Sequence, residues 1–151
     1  MNQSEQKLPT RLATRHQRGQ SSERGANLIE MALVSMLLLL LLAGVVDMGR
    51  AFYSYIAITN ASREGARYAA RVPHLPVRIR DATKDEAASS GITLTDAQIT
   101  ITPDPTTAPA ATGSPVQVEV QFDVPTTMGG ILGFNNIHMS SSTEMIVFGQ
   151  G

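Results

Sequence analysis

Glu30 is the side chain with the clearest chemical consequence in this chain, because it lies at the head of a charge-free stretch. That stretch covers residues 31–46 and contains no acidic or basic side chain. A charged residue deep in a membrane helix costs roughly 2.5–3.5 kcal/mol on insertion scales, so it is usually kept where it has a function or a partner. Glu30 is therefore the first candidate functional residue.

The other reactive side chains form no known catalytic pattern. The chain has no cysteine, which excludes disulfides, thiolate metal sites and thiol nucleophiles. No phosphate-binding loop, nucleophile elbow or paired-carboxylate motif is present. The three histidines do not have the spacing of a metal site: His16, His74 and His138. Four acidic residues of the C-terminal half also lack the ordered spacing of a calcium loop: Asp96, Asp104, Glu119 and Asp123. The sequence predicts a non-enzymatic protein with no cofactor or metal.

Residues 26–46 form the candidate membrane helix that positions Glu30. At 1.5 Å per residue this segment spans about 31 Å, close to the roughly 30 Å of a bilayer's hydrocarbon core. The segment shows no polar face, and only about 100 residues follow it, so a domain of this size has no interior that would enclose it. We predict a transmembrane helix with Glu30 near its cytoplasmic edge.

A cleaved secretory signal peptide is the alternative for the same segment. It would combine the basic N-terminus, the leucines of residues 37–42 and a small-residue cut near residues 43–44. Its basic region would be about 30 residues long, far longer than usual, with an acid next to the apolar core. The helical pattern also continues beyond the segment, which favours a membrane-spanning helix.

Charge is distributed unevenly on the two sides of the candidate helix. Basic side chains recur through residues 1–25, whereas no lysine or arginine follows Lys84. Because basic residues near a membrane helix stay on the cytoplasmic side, we predict a cytoplasmic leader (1–25), a transmembrane helix (26–46) and an extracytoplasmic domain (47–151). The basic residues are sparse and lack interleaved aromatics, so the sequence does not favour nucleic acid as a partner.

The helical pattern continues past the membrane candidate. Residues 47–71 contain no proline, and their apolar residues follow steps of three or four, which predicts one helix over residues 26–71. Aromatic residues follow the span directly, where interfacial aromatics belong: Phe52, Tyr53 and Tyr55. Four small residues at i, i+4 spacing form a ridge that would let another backbone approach, although helix propensity alone also explains them: Ala57, Ala61, Gly65 and Ala69.

Charged side chains on this helix have simpler interpretations. Asp47 and Arg50 lie three residues apart at the membrane exit, which predicts a local ion pair of small energetic value. Three arginines form a basic row that is interpreted as a solvated face: Arg63, Arg67 and Arg71.

The rest of the chain predicts a short helix followed by strands. Residues 76–90 have a modest apolar side, and Gly91 predicts the end of the helix. The period then changes to two, which predicts strands at residues 98–102, 116–124 and 137–147. The fold class is therefore α+β, with a long N-terminal helix, a short second helix and about three antiparallel strands. Loops cover residues 102–115 and 128–136, and we expect His138 to be a packed or surface histidine.

Three motifs in the N-terminal third resemble a known family. They are Arg24-Gly25 with Glu30 five residues on, Asp47-Met48-Gly49-Arg50, and Arg63-Glu64-Gly65-Ala66-Arg67-Tyr68-Ala69. With this spacing around a leucine-rich span, residues 24–71 resemble TadE/TadG-like pseudopilins. These are minor components of tight-adherence (Flp pilus) machines, which relate to type IV pili and type II secretion.

The resemblance implies a pathway of processing and assembly. A prepilin peptidase would cut after Gly25 and leave Ala26 as the new N-terminus of a protein in the bacterial cytoplasmic membrane. Glu30 would then pair with the α-ammonium of a neighbouring subunit, each group neutralising the other in lipid and fixing the stagger of adjacent helices. Its partners would be the lipid bilayer, other pilins or pseudopilins, secretion platform proteins and the peptidase.

The resemblance favours a minor subunit over a shaft subunit. Major Flp pilins are much shorter and usually have tyrosine after the glutamate, whereas Met31 follows here and a domain of about 100 residues is added. The alternative function is a membrane-tethered extracellular binding or adhesion domain that never enters a filament. The Thr/Pro-rich loop and the acidic, lysine-free region after Lys84 would suit that role.

Replacing Glu30 tests the pairing hypothesis. Glu30→Ala or Glu30→Leu should still insert into the membrane, and more favourably than the wild type because no carboxylate enters the apolar layer, but should fail to co-assemble. Membrane fractionation and pilus yield measure the two effects. Wild-type pilus output from either variant would contradict the hypothesis.

Overall fold

The computed structural model describes residues 18–129, 133 and 135–148, with side chains described from residue 25. Most of the predicted leader, residues 1–17, and residues 130–132 and 134 of the predicted second loop lie outside the described residues. The described elements, in chain order, are α1 (Arg18–Arg71), α2 (Pro76–Ser89), a short 3-10 helix (Asp96–Gln98), β1 (Ile99–Thr102), β2 (Pro115–Pro125) and β3 (Asn136–Ile146). The α+β class predicted from the sequence is confirmed.

The chain divides into two compact units, Met1–Leu40 and Leu41–Gly151. In the first unit the described side chains of α1 are largely exposed and apolar, with Leu28 71% and Leu39 65% exposed. By length and composition, the part of α1 from Gly25 to Arg71 is able to cross a membrane. The predicted single N-terminal apolar helix is therefore present.

The second unit is built on a three-stranded antiparallel sheet in the order β1-β2-β3. Alternate residues of β2 face the core, and Val116, Val118 and Val120 are at most 2% exposed. Val118 lies opposite Ile101 of β1 and Thr143 of β3. This is the period-two pattern expected of a strand with one buried face.

Helices α1 and α2 supply the other side of the core. Buried side chains of α1 recur at helical spacing, and Ile58 is fully buried among them. Ile79, Thr83 and Ala87 form the buried side of α2. The predicted end of α2 at Gly91 has a physical basis, because this glycine has a φ of 73° and the helix ends just before it.

The small-residue ridge of α1 lies in this core. Ala57, Ala61, Gly65 and Ala69 are all buried. A Cβ built on Gly65 would collide with Oγ1 of Thr83 and would lie 3.1 Å from Cγ1 of Val118. The ridge therefore lets α2 and β2 of the same chain approach α1, so close approach of backbones is achieved within the molecule.

We expect Gly65→Ala to destabilise the domain. The hydroxyl of Thr83 is fully buried and donates to the carbonyl of Ile79 at 2.8 Å, so it has little freedom to give way to an added methyl. Overpacking of this kind costs roughly 1–3 kcal/mol of the free energy of unfolding. Thermal unfolding followed by circular dichroism would measure the change.

Gly49→Ala is the matched control for that measurement. Gly49 lies in the same helix, and a Cβ there would meet nothing within 4 Å. Because alanine favours the helix, this variant should gain roughly 0.4–1 kcal/mol. Equal melting temperatures for the two variants would contradict the proposed role of Gly65.

Candidate functional site

Glu30 lies on α1 with an exposed side chain. Its neighbours Ile29 and Met31 are 65% and 64% exposed, so an apolar surface surrounds the carboxylate. Among the described side chains, none makes a hydrogen bond or ion pair with Glu30. The candidate processing residues Gly25 and Ala26 precede it on the same helix, and a Cβ on Gly25 would meet nothing within 4 Å.

Asp47, the first residue after the apolar segment, joins α1 to the end of the β2–β3 hairpin. Its carboxylate accepts the backbone N–H of Thr127 at 3.0 and 2.9 Å and the backbone N–H of Met128 at 2.9 Å. Only 8% of the residue is exposed. Because these N–H groups donate to the charged carboxylate, Met128 first and Thr127 second, they lower the pKa of Asp47 from its usual 3.8.

The ion pair predicted between Asp47 and Arg50 is present but long. Nη1 of Arg50 lies 3.9 Å from Oδ1 of Asp47 and 3.4 Å from Oγ1 of Thr127, to which it donates. The main partners of Asp47 are therefore backbone groups about 80 positions away in the chain. Sequence reasoning missed them, since no local pattern indicates which loop reaches a helix residue.

A groove of about 540 Å³ lies beside this junction. α1 contributes one side of it with Val46, Gly49, Arg50 and Tyr53. The other sides are formed by residues 90–92 after α2 and by the end of β2 with Phe122, Val124 and Pro125. The hydroxyl of Tyr53 donates to the carbonyl of Ser90 at 3.0 Å, which links α1 to the segment after α2.

The Arg63–Ala69 motif is divided between the core and the surface. Gly65 is buried and Tyr68 packs partly buried against the core. Arg63 is exposed, and Arg67 makes an exposed ion pair with Glu64 at 2.8 Å. Asp47, Gly49 and Arg50 therefore lie together where α1 meets the hairpin, whereas Gly65 and Tyr68 pack in the core.

Several acidic and histidine side chains of the domain have polar partners. Nδ1 of His138 lies 2.8 Å from the carboxylate of Asp123 on the neighbouring strand. Asp96 pairs with Lys84 at 2.9 Å, and Asp104 accepts the backbone N–H and hydroxyl of Thr106. Within the described part of the chain, no three metal-ligating side chains cluster.

Acid should weaken the attachment of the hairpin through Asp47. A carboxylate whose pKa is lowered on folding stabilises the fold fully above its unfolded pKa, and this contribution is lost as the pH falls through the folded pKa. The usual value is 3.8, so melting temperature should fall as the pH drops below about 4. Asp47→Asn should lower the melting temperature at pH 7 and reduce its slope below about pH 4.

Asp85→Asn provides the control for the pH measurement. Asp85 is an exposed carboxylate on α2 that has no hydrogen bond or ion pair to another described residue. Its variant should keep both the neutral-pH melting temperature and the acid slope of the wild type. Identical acid slopes for Asp47→Asn and the wild type would show that the carboxylate has no such role.

Comparisons with known proteins agree with the motifs of the N-terminal third. Residues 25–67 match the family model described as TadE-like protein. Searches of curated proteins and of solved structures gave no match. Residues 25–67, which include Glu30, the Asp47–Arg50 motif and the Arg63–Arg67 motif, are therefore similar to TadE-like proteins, and the resemblance inferred from these motifs is confirmed.

Proposed function

We propose that this chain is a minor pseudopilin-like component of a tight-adherence pilus or a related secretion machine. A single helix, residues 26–46, inserts it into the cytoplasmic membrane with the N-terminus in the cytoplasm and the α+β domain outside. It acts by assembly with other pilins or pseudopilins and not by catalysis. The TadE-like segment and the one apolar helix of the described chain support this proposal.

An apolar stripe on α1 beyond the predicted span is the observation that carries the proposal. Met48, Phe52 and Ile56 follow at intervals of four and are 59%, 61% and 59% exposed. Tyr55 beside them is 48% exposed. The domain of this chain packs on the opposite side of α1, where Ala57 and Ala61 are buried.

The stripe is longer than the bilayer surface accounts for. From Val46 to Ile56 the helix rises about 15 Å, whereas the head-group layer on each side of the hydrocarbon core is roughly 5–8 Å thick. Lipid would therefore cover its near end and leave Phe52 and Ile56 outside. Large exposed apolar patches mark interaction surfaces, and a second pilin-type helix lying alongside α1 fits a continuous stripe of this shape.

Glu30 has a defined part in this assembly. After cleavage behind Gly25, the α-ammonium of Ala26 and the carboxylate of Glu30 would both lie at the edge of the hydrocarbon. Pairing Glu30 of one subunit with the ammonium of the next neutralises both groups and sets their stagger. The exposed position of Glu30 on α1 and its apolar surroundings support this pairing.

Polar substitution in the stripe tests the assembly proposal. Ile56→Ser should leave membrane insertion and domain folding intact but lower recovery of the chain with sheared pilus fractions. Burial of an isoleucine contributes roughly 1.5–3 kcal/mol, so association should weaken about tenfold or more. Quantitative immunoblotting of the sheared fraction against the membrane fraction measures the effect.

Val77→Ser is the matched control. Val77 is an equally exposed aliphatic side chain (66%) on α2, away from the stripe, so its replacement should leave recovery unchanged. A membrane-tethered adhesion domain that never enters a filament would show the same low recovery for the wild type, Ile56→Ser and Val77→Ser. That outcome would contradict the assembly proposal.

A further inference from the structure

The groove beside Arg50 combines an apolar lining with one basic side chain. Its apolar lining is formed by Val46, Phe122, Val124 and Pro125. Gly49 has no side chain, so the surface of α1 stays open there. Arg50 is the basic side chain among its lining residues, and its side chain is 49% exposed. A volume of about 540 Å³ falls in the roughly 300–1,000 Å³ range of small-molecule sites.

The guanidinium of Arg50 is available to an anion. Asp47, its nearest acidic neighbour, accepts two backbone N–H groups at 2.9–3.0 Å, whereas Arg50 lies 3.9 Å away. The bond from Arg50 to Thr127 is long, at 3.4 Å. The hairpin therefore offsets the charge of Asp47, and most of the hydrogen-bonding capacity of Arg50 remains unused among the described residues.

The position of Arg50 along α1 matches the phosphate layer of a bilayer. This step rests on the proposed function, because it takes Val46 as the outer end of the membrane span. Arg50 follows Val46 by four residues, a rise of about 6 Å. The head-group layer extends roughly 5–8 Å beyond the hydrocarbon core, so the guanidinium reaches the depth at which lipid phosphates lie.

We propose that this groove binds an anionic phospholipid from the outer leaflet of the cytoplasmic membrane. Arg50 binds the phosphate, and the upper part of an acyl chain lies against Val46 and the carbon surface formed by the end of β2. A free phosphate ion would contact only the guanidinium of Arg50, whereas a phospholipid would contact both the guanidinium and the apolar lining of the groove. Because successive helix residues are rotated by about 100°, Arg50 lies about 160° around α1 from Phe52, so phosphate binding and contact with a subunit at the middle of the stripe are compatible.

Native mass spectrometry of the full-length chain tests this inference. The protein is released from detergent micelles that contain either phosphatidylglycerol, which is anionic, or phosphatidylcholine, which is zwitterionic. The wild type should retain phosphatidylglycerol about fivefold better, the change expected from one basic residue near an anionic surface. Arg50→Gln should lose this preference, and Arg50→Lys should keep most of it.

Arg63→Gln is the matched control, because Arg63 is an exposed arginine of α1 outside the groove. It should retain the wild-type preference, and all variants should melt at the wild-type temperature. Equal retention of the two lipids by the wild type, an unchanged preference in Arg50→Gln, or displacement of the lipid by millimolar inorganic phosphate would overturn the inference.

This test is separable from that of the proposed function. The isolated chain needs no other pilus component, so a lost preference in Arg50→Gln would support the lipid site even if Ile56→Ser assembled normally. Recovery of the wild type in the soluble fraction without detergent would overturn both proposals, because Val46 would then not lie at a membrane surface.

Discussion

One set of hydrogen bonds, those to the carboxylate of Asp47, holds the end of the β2–β3 hairpin against α1. This carboxylate lies one residue beyond the charge-free segment, and it accepts the backbone N–H groups of Thr127 and Met128. Without it, those donors at the end of the β2–β3 hairpin would lose a charged acceptor in a nearly buried place. A charged acceptor suits this position, because hydrogen bonds to ionised groups are stronger than those between neutral groups. Asp47 lies within the residues that match the TadE-like family model, and in this structure it binds the end of the hairpin.

Helix α1 beyond Leu41 has three different surroundings. Ala57, Ala61 and Gly65 turn toward the sheet and α2, and their small size allows the close packing seen at Thr83. Met48, Phe52 and Ile56 remain exposed on another side. Val46 and Arg50 line the groove on the same side as the ridge, about two helical turns nearer the N-terminus. In the proposed assembly these surfaces contact the chain's own core, a neighbouring helix and a lipid, so α1 can join a filament while its domain stays packed on it.

Much of this fold could be predicted from the sequence because its signals are local. The change from helical spacing to alternation located β2, predicted at residues 116–124 and found at Pro115–Pro125. Proline and glycine located the ends of α2, predicted at residues 76–90 and found at Pro76–Ser89. Less of the candidate site could be predicted. Asp47 was expected to pair with Arg50 three residues away, and the stronger partners at Thr127 and Met128 belong to a loop whose sequence gives no sign of the contact.

The sequence by itself determined that the chain carries one long apolar helix, an acid at its head, a short second helix and three strands, because periodicity, proline and charge act over a few residues. Only the tertiary structure decided which side of α1 is used within the molecule. The small-residue ridge was a candidate surface for another helix, and it is occupied by Thr83 and Val118 of the same chain, which leaves the Met48–Phe52–Ile56 side exposed. The groove at Arg50 likewise exists only because α1, the segment after α2 and the end of β2 meet there. Such contacts join residues tens of positions apart, and their free energies depend on how whole elements pack, which no local pattern records.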